Sequence, residues 1–109
     1  VSMRRATVDA LLDALSDAGT LSVRSMFGEF AVYLEGRVVA FVCDDQMFVK
    51  PVAGARAALP DADLAPPYPG AKDHILAADA LDEPEPVVAA LRAAAREVPL
   101  TKPRKGKAI

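Results

Sequence analysis

Three β-rich runs, Met26 to Leu34, Arg37 to Cys43 and Gln46 to Lys50, follow one another with only Glu35-Gly36 and Asp44-Asp45 between them. A two-residue link can join neighbouring antiparallel strands but cannot cross over a sheet, and Gly and Asp tolerate the positive φ that such turns require. The spacing therefore predicts a three-stranded meander. With Leu34 opposite Arg37 and Cys43 opposite Gln46, counting back along the strands sets Phe30, Phe41 and Phe48 side by side in one aromatic row. The same register puts Val32, Val39 and Leu34 on the phenylalanine face, and Ala31, Tyr33, Val38, Ala40, Val42, Met47 and Val49 on the other. A sheet that is apolar on both sides does not leave one side bare in water. Helices are expected over the phenylalanine face. The second face is expected to be covered partly by the chain and partly by another copy in a homodimer.

Helical patterns flank the meander. Val8, Leu11, Leu12 and Leu15 recur at i, i+3, i+4 and i+7, Ala18 extends the stripe, and Asp9, Asp13 and Asp17 fall on another line of the cylinder. That is an amphipathic helix over about residues 4 to 18, closed by Gly19, with the aspartates on its solvated side. A short helix is expected from Val52 to Leu59. Pro60, Pro66, Pro67, Pro69 and Gly70 then make a connection that cannot contain a central strand, and His74 to Ala77 reads as a short strand. Asp82 as N-cap, Pro84 in the first turn and Glu85 three residues beyond the cap predict the start of a last helix. Its buried stripe is Val87, Val88, Leu91, Ala94, Ala95 and Val98, and Pro99 ends it.

The chain of 109 residues suits one domain, expected over residues 1 to 100. Its formal charge of −2 hides a split. Residues 6 to 101 hold 7 Lys/Arg and all 15 Asp/Glu, a net of −8, while Arg4, Arg5, Lys102, Arg104, Lys105 and Lys107 put +6 at the two ends. Such a body repels phosphate at long range. Nucleic acid is therefore expected to bind weakly if at all, through phosphate contacts from Lys102, Arg104, Lys105 and Lys107 in a disordered basic segment over residues 101 to 109. No apolar run approaches the ~20 residues of a membrane helix, no secretory signal pattern opens the chain, and one Cys excludes an internal disulfide. A cytoplasmic protein without membrane contact is expected.

Little in the chain calls for catalysis. Cys43 and His74 are single members of their types; the register sends Cys43 to the side of Phe41, where a thiol fills space, and His74 beside Asp73 reads as a surface imidazole. A small thiol enzyme built on Cys43 is the enzymatic alternative. Asp44-Asp45 serves as turn chemistry, the six glycines have neither dinucleotide-loop nor phosphate-loop spacing, and one His with one Cys cannot fill a zinc site. No cofactor, no metal and no enzymatic activity are expected. Met26-Phe27-Gly28 is the most distinctive string, an apolar shoulder with a Gly that admits close approach of another backbone. Met26, Phe27, Gly28, Met47 and Val49 are accordingly the candidate protein-interaction residues, with Arg24 and Lys50 at their rim.

This order of elements resembles the amino-terminal domain of the TfoX/Sxy family, regulators of DNA-uptake competence. The resemblance is carried by the first helix, Met26 to Tyr33, the turn at Gly36, Val38 to Val42, Asp44-Asp45, Met47 to Lys50, and the helix start from Ala80 to Glu85. It runs from about Ala6 to Val98. It implies an α+β fold, with an antiparallel sheet of about five strands flanked by N- and C-terminal helices in the manner of type III secretion chaperones, often dimeric. It also implies a role in transcriptional regulation, with a transcription factor as protein partner.

Overall fold

The amphipathic run at the amino end forms α1 (Ser2–Ala14), whose Val8, Leu11 and the following Leu15 are buried. The helix does not reach residue 18 as expected. It tightens after Leu15 into a 3-10 turn (Ser16–Ala18), with Gly19 N–H donating to the Ser16 carbonyl at 3.2 Å. Gly19 has φ 137°, and an added Cβ would stand 2.9 Å from a Glu35 carboxylate oxygen, so the sharp turn into the sheet depends on glycine. The structure, a computed structural model, describes residues 2–26, 29–78 and 80–98. The remaining elements are β1 (Leu21–Met26), β2 (Glu29–Leu34), β3 (Arg37–Cys43), β4 (Gln46–Val49), α2 (Ala53–Ala58), β5 (Leu64–Ala65), β6 (His74–Leu76) and α3 (Pro84–Glu97).

The strands make one antiparallel sheet in the order β1-β2-β3-β4-β6-β5, an α+β fold with six strands against the five expected. The added strand, β1, lies almost wholly ahead of the first β-rich run, which contributes only Met26 to it. Met26 ends β1 and Glu29, its pairing partner, begins β2, so the chain reverses between them. Both two-residue links form as predicted, with Glu35 and Gly36 at φ 53° and 87° and Asp44 and Asp45 at 52° and 62°. Two consecutive positive φ values define the mirror-image turn whose twist matches that of the flanking strands. β5 is a two-residue edge strand inside the proline-rich connection, the only position such a segment permits.

One irregularity reassigns the faces. Leu34 pairs with Arg37 and Cys43 with Gln46 as counted, but the register of β2 against β3 shifts between Val32 and Tyr33, leaving Val39 as an extra residue. A bulge of one residue turns all that follows to the opposite side of the partner strand. Phe41 therefore lies opposite Phe48 while Phe30 lies opposite Val42, and the row of three phenylalanines does not form. Phe30, Val32, Leu34, Ala40, Val42, Met47, Val49 and Ile75 share one face; Ala31, Tyr33, Val38, Phe41, Cys43, Phe48 and His74 share the other.

The helices pack on the first of these faces. Val8, Leu11 and Leu15 from the amino end, Ala55 from α2, and Val87, Ala90, Leu91 and Ala94 from α3 form one cluster with Val32, Leu34, Ala40, Val42, Met47 and Val49. α3 begins at Pro84 with Glu83 as its N-cap residue, and no side chain caps it, so the expected Asp82 cap is not made. Two distant side chains tie the helices down instead. Glu97 accepts the Gly54 N–H at 3.1 and 3.3 Å, serving the first turn of α2 from the end of α3. Arg37 Nη1 donates to the Ala95 and Val98 carbonyls at 3.1 and 3.3 Å, closing the end of α3. Among the described residues no helix is long and apolar enough to cross a membrane.

Candidate functional site

The second face of the sheet is where coverage is incomplete. Its buried members, Ala31, Cys43, Phe48 and His74, stand outside the cluster that the helices build. Cover over the β4–β6 side comes from the proline-rich connection. Pro67 is buried there, and Tyr68, itself 39% exposed, sets its ring edge-on to Phe41 at 6.3 Å. Phe41 also meets the His74 ring at 5.6 Å and the Lys50 ammonium at 5.5 Å. One phenylalanine thus gathers an aromatic edge, an imidazole and a cation, contacts worth roughly 0.5–1.5 kcal/mol apiece when well ordered.

His74 is not at the surface as its neighbour Asp73 suggested; it is 8% exposed. Its Nδ1 lies 2.9 Å from the Lys72 carbonyl, which can only accept, so Nδ1 carries the proton. Nε2 is then buried without a hydrogen-bond partner among the described residues, an arrangement that costs about 1–3 kcal/mol and is held by the packing around it. The Cys43 thiol is 4% exposed, closed off from solvent. Among the described residues no three His, Cys, Asp or Glu side chains converge in a metal-holding arrangement.

Towards β1 the connection gives out. Tyr33 and Val38, paired across β2 and β3, remain partly exposed together with Phe41, and the exposed Arg24 of edge strand β1 lies opposite Ala31. The result is an apolar strip of Tyr33, Val38 and Phe41 around a buried Ala31, with Arg24 and Lys50 at its margins. Its chemistry is that of a contact surface. It has an aromatic and aliphatic middle and cations at the rim.

The candidate residues divide accordingly. Met47 and Val49 were expected on the uncovered face, but the bulge places them on the helical one, 2% and 0% exposed, so they hold the core and present nothing to a neighbour. Met26 closes β1 in the backbone, while Phe27, Gly28, Lys102, Arg104, Lys105 and Lys107 lie outside the described residues. Arg24 and Lys50 do flank the open strip. Tyr33 and Val38, which occupy its middle, were placed on the right face by counting but not singled out. Their signal was the run Ala31-Val32-Tyr33 facing Val38, apolar where a one-sided strand would alternate.

Two comparisons bear on this architecture. The chain is 40% identical over 85 residues to an uncharacterized 12.7 kDa protein encoded in the trpE 5′ region of Spirochaeta aurantia, covering 78% of this chain and 74% of that one. The sequence profile of the TfoX N-terminal domain matches residues 13–98, from the last turn of α1 to just past the end of α3. The match spans the whole sheet together with α2 and α3, and the chain accordingly belongs to the TfoX N-terminal domain family.

Proposed function

We propose that this protein is a non-enzymatic, cytoplasmic regulatory module that works by docking to protein across the open part of its sheet. The observation that carries the reading is the strip of Tyr33, Val38 and Phe41, part-exposed on a face that no helix among the described residues packs against. Contiguous apolar surface rimmed by charge is uncommon on a monomer without a role in contact. Membership of the family adds the second half of the proposal, a task in transcriptional regulation of DNA-uptake competence with a transcription factor as eventual partner. A second copy of the chain is the first occupant, since two such strips meeting about a twofold axis bury both at once.

Sedimentation of the purified chain at micromolar concentration, beside Tyr33→Glu, tests this. The native protein is expected to self-associate and the folded variant to remain monomeric. A native protein that stays monomeric throughout, or a variant that associates equally well, overturns the proposal.

A further inference from the structure

The hollows of this molecule differ in charge. Among the described residues, one, between α2, β6 and the start of α3, has Asp61, Asp63 and Glu83 on its walls and no cation; another, beside α1 and β4, has Asp45 and Asp82 and no cation. A third, of about 460 Å³, reverses the sign. Arg37, Arg92 and Arg96 line it, with Glu35 the one carboxylate among the described residues and Ala18, Leu34 and Ala95 the apolar wall. Three of the 7 Lys/Arg in residues 6 to 101 thus meet in one place on a body of net charge −8.

Geometry makes the concentration usable. Arg37 stands at the head of β3, and the two carbonyl bonds of its Nη1 fix the guanidinium while neutralising the negative end of α3. Arg92 and Arg96 are one turn apart on α3, both exposed, with no ion pair to any described carboxylate. Glu35 is drawn aside over Gly19, where its Oε2 occupies the space next to the missing Cβ. The described side chains that line the hollow sum to a formal charge of +2. Carboxylates spread over the rest of the body are screened beyond about 8–10 Å at ordinary salt, so the local charge decides what binds.

We infer that this hollow is a binding site for a dianionic tetrahedral oxyanion, a phosphate group, with Arg37 as the preorganised donor and Arg92 and Arg96 closing on it. Guanidinium forks match phosphate oxygens in shape and charge, and the Leu34 wall has room for an organic substituent. The site lies on the helical side of the sheet and does not depend on the reading of the open face.

Amide-resolved NMR titration of the native chain with inorganic phosphate and with phenyl phosphate, each against chloride at equal ionic strength, tests it. Saturable shifts are expected at Glu35 to Arg37 and Arg92 to Glu97, with a Kd of about 1 mM. Arg92→Gln and Arg96→Gln should each weaken binding roughly twofold to fivefold and the pair about tenfold, the scale of exposed charge contacts. Neither side chain holds the fold, so both variants remain folded, and Glu35→Gln should tighten binding about twofold. Tighter binding of phenyl phosphate identifies a phosphoryl group on a larger molecule as the ligand, whereas equal binding identifies the free anion. Absence of saturable shifts at about 10 mM of either, or an unchanged Kd in the folded double variant, overturns the inference.

Discussion

The two faces of the sheet are made from the same strands and nearly the same residue types, yet they are closed in different ways. On the helical face Val39, Val49, Ile75 and Leu91 are fully buried, and three helices contribute to a single cluster. On the opposite face one connection reaches as far as Phe41 and His74 and stops, leaving Tyr33 and Val38 partly in water. The first face holds the molecule together through area and close packing. The second is held by a few contacts around Phe41 and has surface left for another molecule. Apolar character alone thus does not separate a core from a contact surface; what the rest of the chain lays over it does.

The largest expected effect is on the helical face. Met47→Glu buries a carboxylate among Val42, Ala77 and the helices with nothing to pair it, and burial of an unpaired charge costs several kcal/mol. Against a total stability of about 5–15 kcal/mol, the variant should lose cooperative urea unfolding by circular dichroism. A sharp transition at near-native midpoint would mean that this face is looser than its packing indicates. Gly54→Ala comes next. Its new Cβ would fall 2.7 Å from the Ala93 Cβ and closer still to a Glu97 carboxylate oxygen, so α2 must move off α3. A loss of about 1–3 kcal/mol is expected, the usual range for overpacking, read as a lower urea midpoint with unchanged slope.

Much of this division was legible in the residues, and the part that was not has a definite cause. Two-residue links at Glu35-Gly36 and Asp44-Asp45 gave both hairpins, and the stripes of the first and last helices named Val8, Leu11, Leu15, Val87, Leu91 and Ala94 as core. The burial of Cys43 beside Phe41 also followed from counting. The bulge at Val39 did not, because one extra valine in a run of Val-Val-Ala-Phe-Val leaves the composition of both faces unchanged. That single residue moved Met47 and Val49 from the candidate surface into the core. β1 is hard to read because Ser22, Arg24 and Ser25 leave few apolar positions, although Leu21 and Val23 do alternate with Ser22 and Arg24. Contacts that join residues far apart in the chain, Arg37 to the end of α3 and Glu97 to Gly54, have no local signature at all.

On the second face the effects should be smaller. Tyr68→Ala removes the edge-on partner of Phe41 and thins the cover over His74. Because Tyr68 is already more than a third exposed, its loss should cost about 1 kcal/mol, chiefly the aromatic pair. Hydrogen exchange at His74 to Leu76 should quicken, while the amides of Ala90 to Ala94 in α3 keep their native relative protection. Equal acceleration in both segments would show that the two faces unfold as one unit and would remove the distinction drawn between them.

Val38→Glu sharpens the contrast most, since it introduces the same charge as Met47→Glu on the other side of the sheet. Val38 is partly exposed, and a glutamate there can direct its carboxylate into solvent alongside Tyr33, within reach of the rim cations. The stability change should therefore be below about 1 kcal/mol, within the range of surface substitutions, with a urea midpoint close to native. Self-association should nevertheless disappear, because in a twofold contact each copy would bring its carboxylate against the other across an apolar strip, and like charges brought together there raise the dissociation constant steeply. A variant that unfolds would place Val38 in the core and close the second face. A folded variant that still associates would move the contact elsewhere, to the free edge of β1. Only retention of the fold with loss of association is consistent with one face that holds the chain together and another that meets its neighbour.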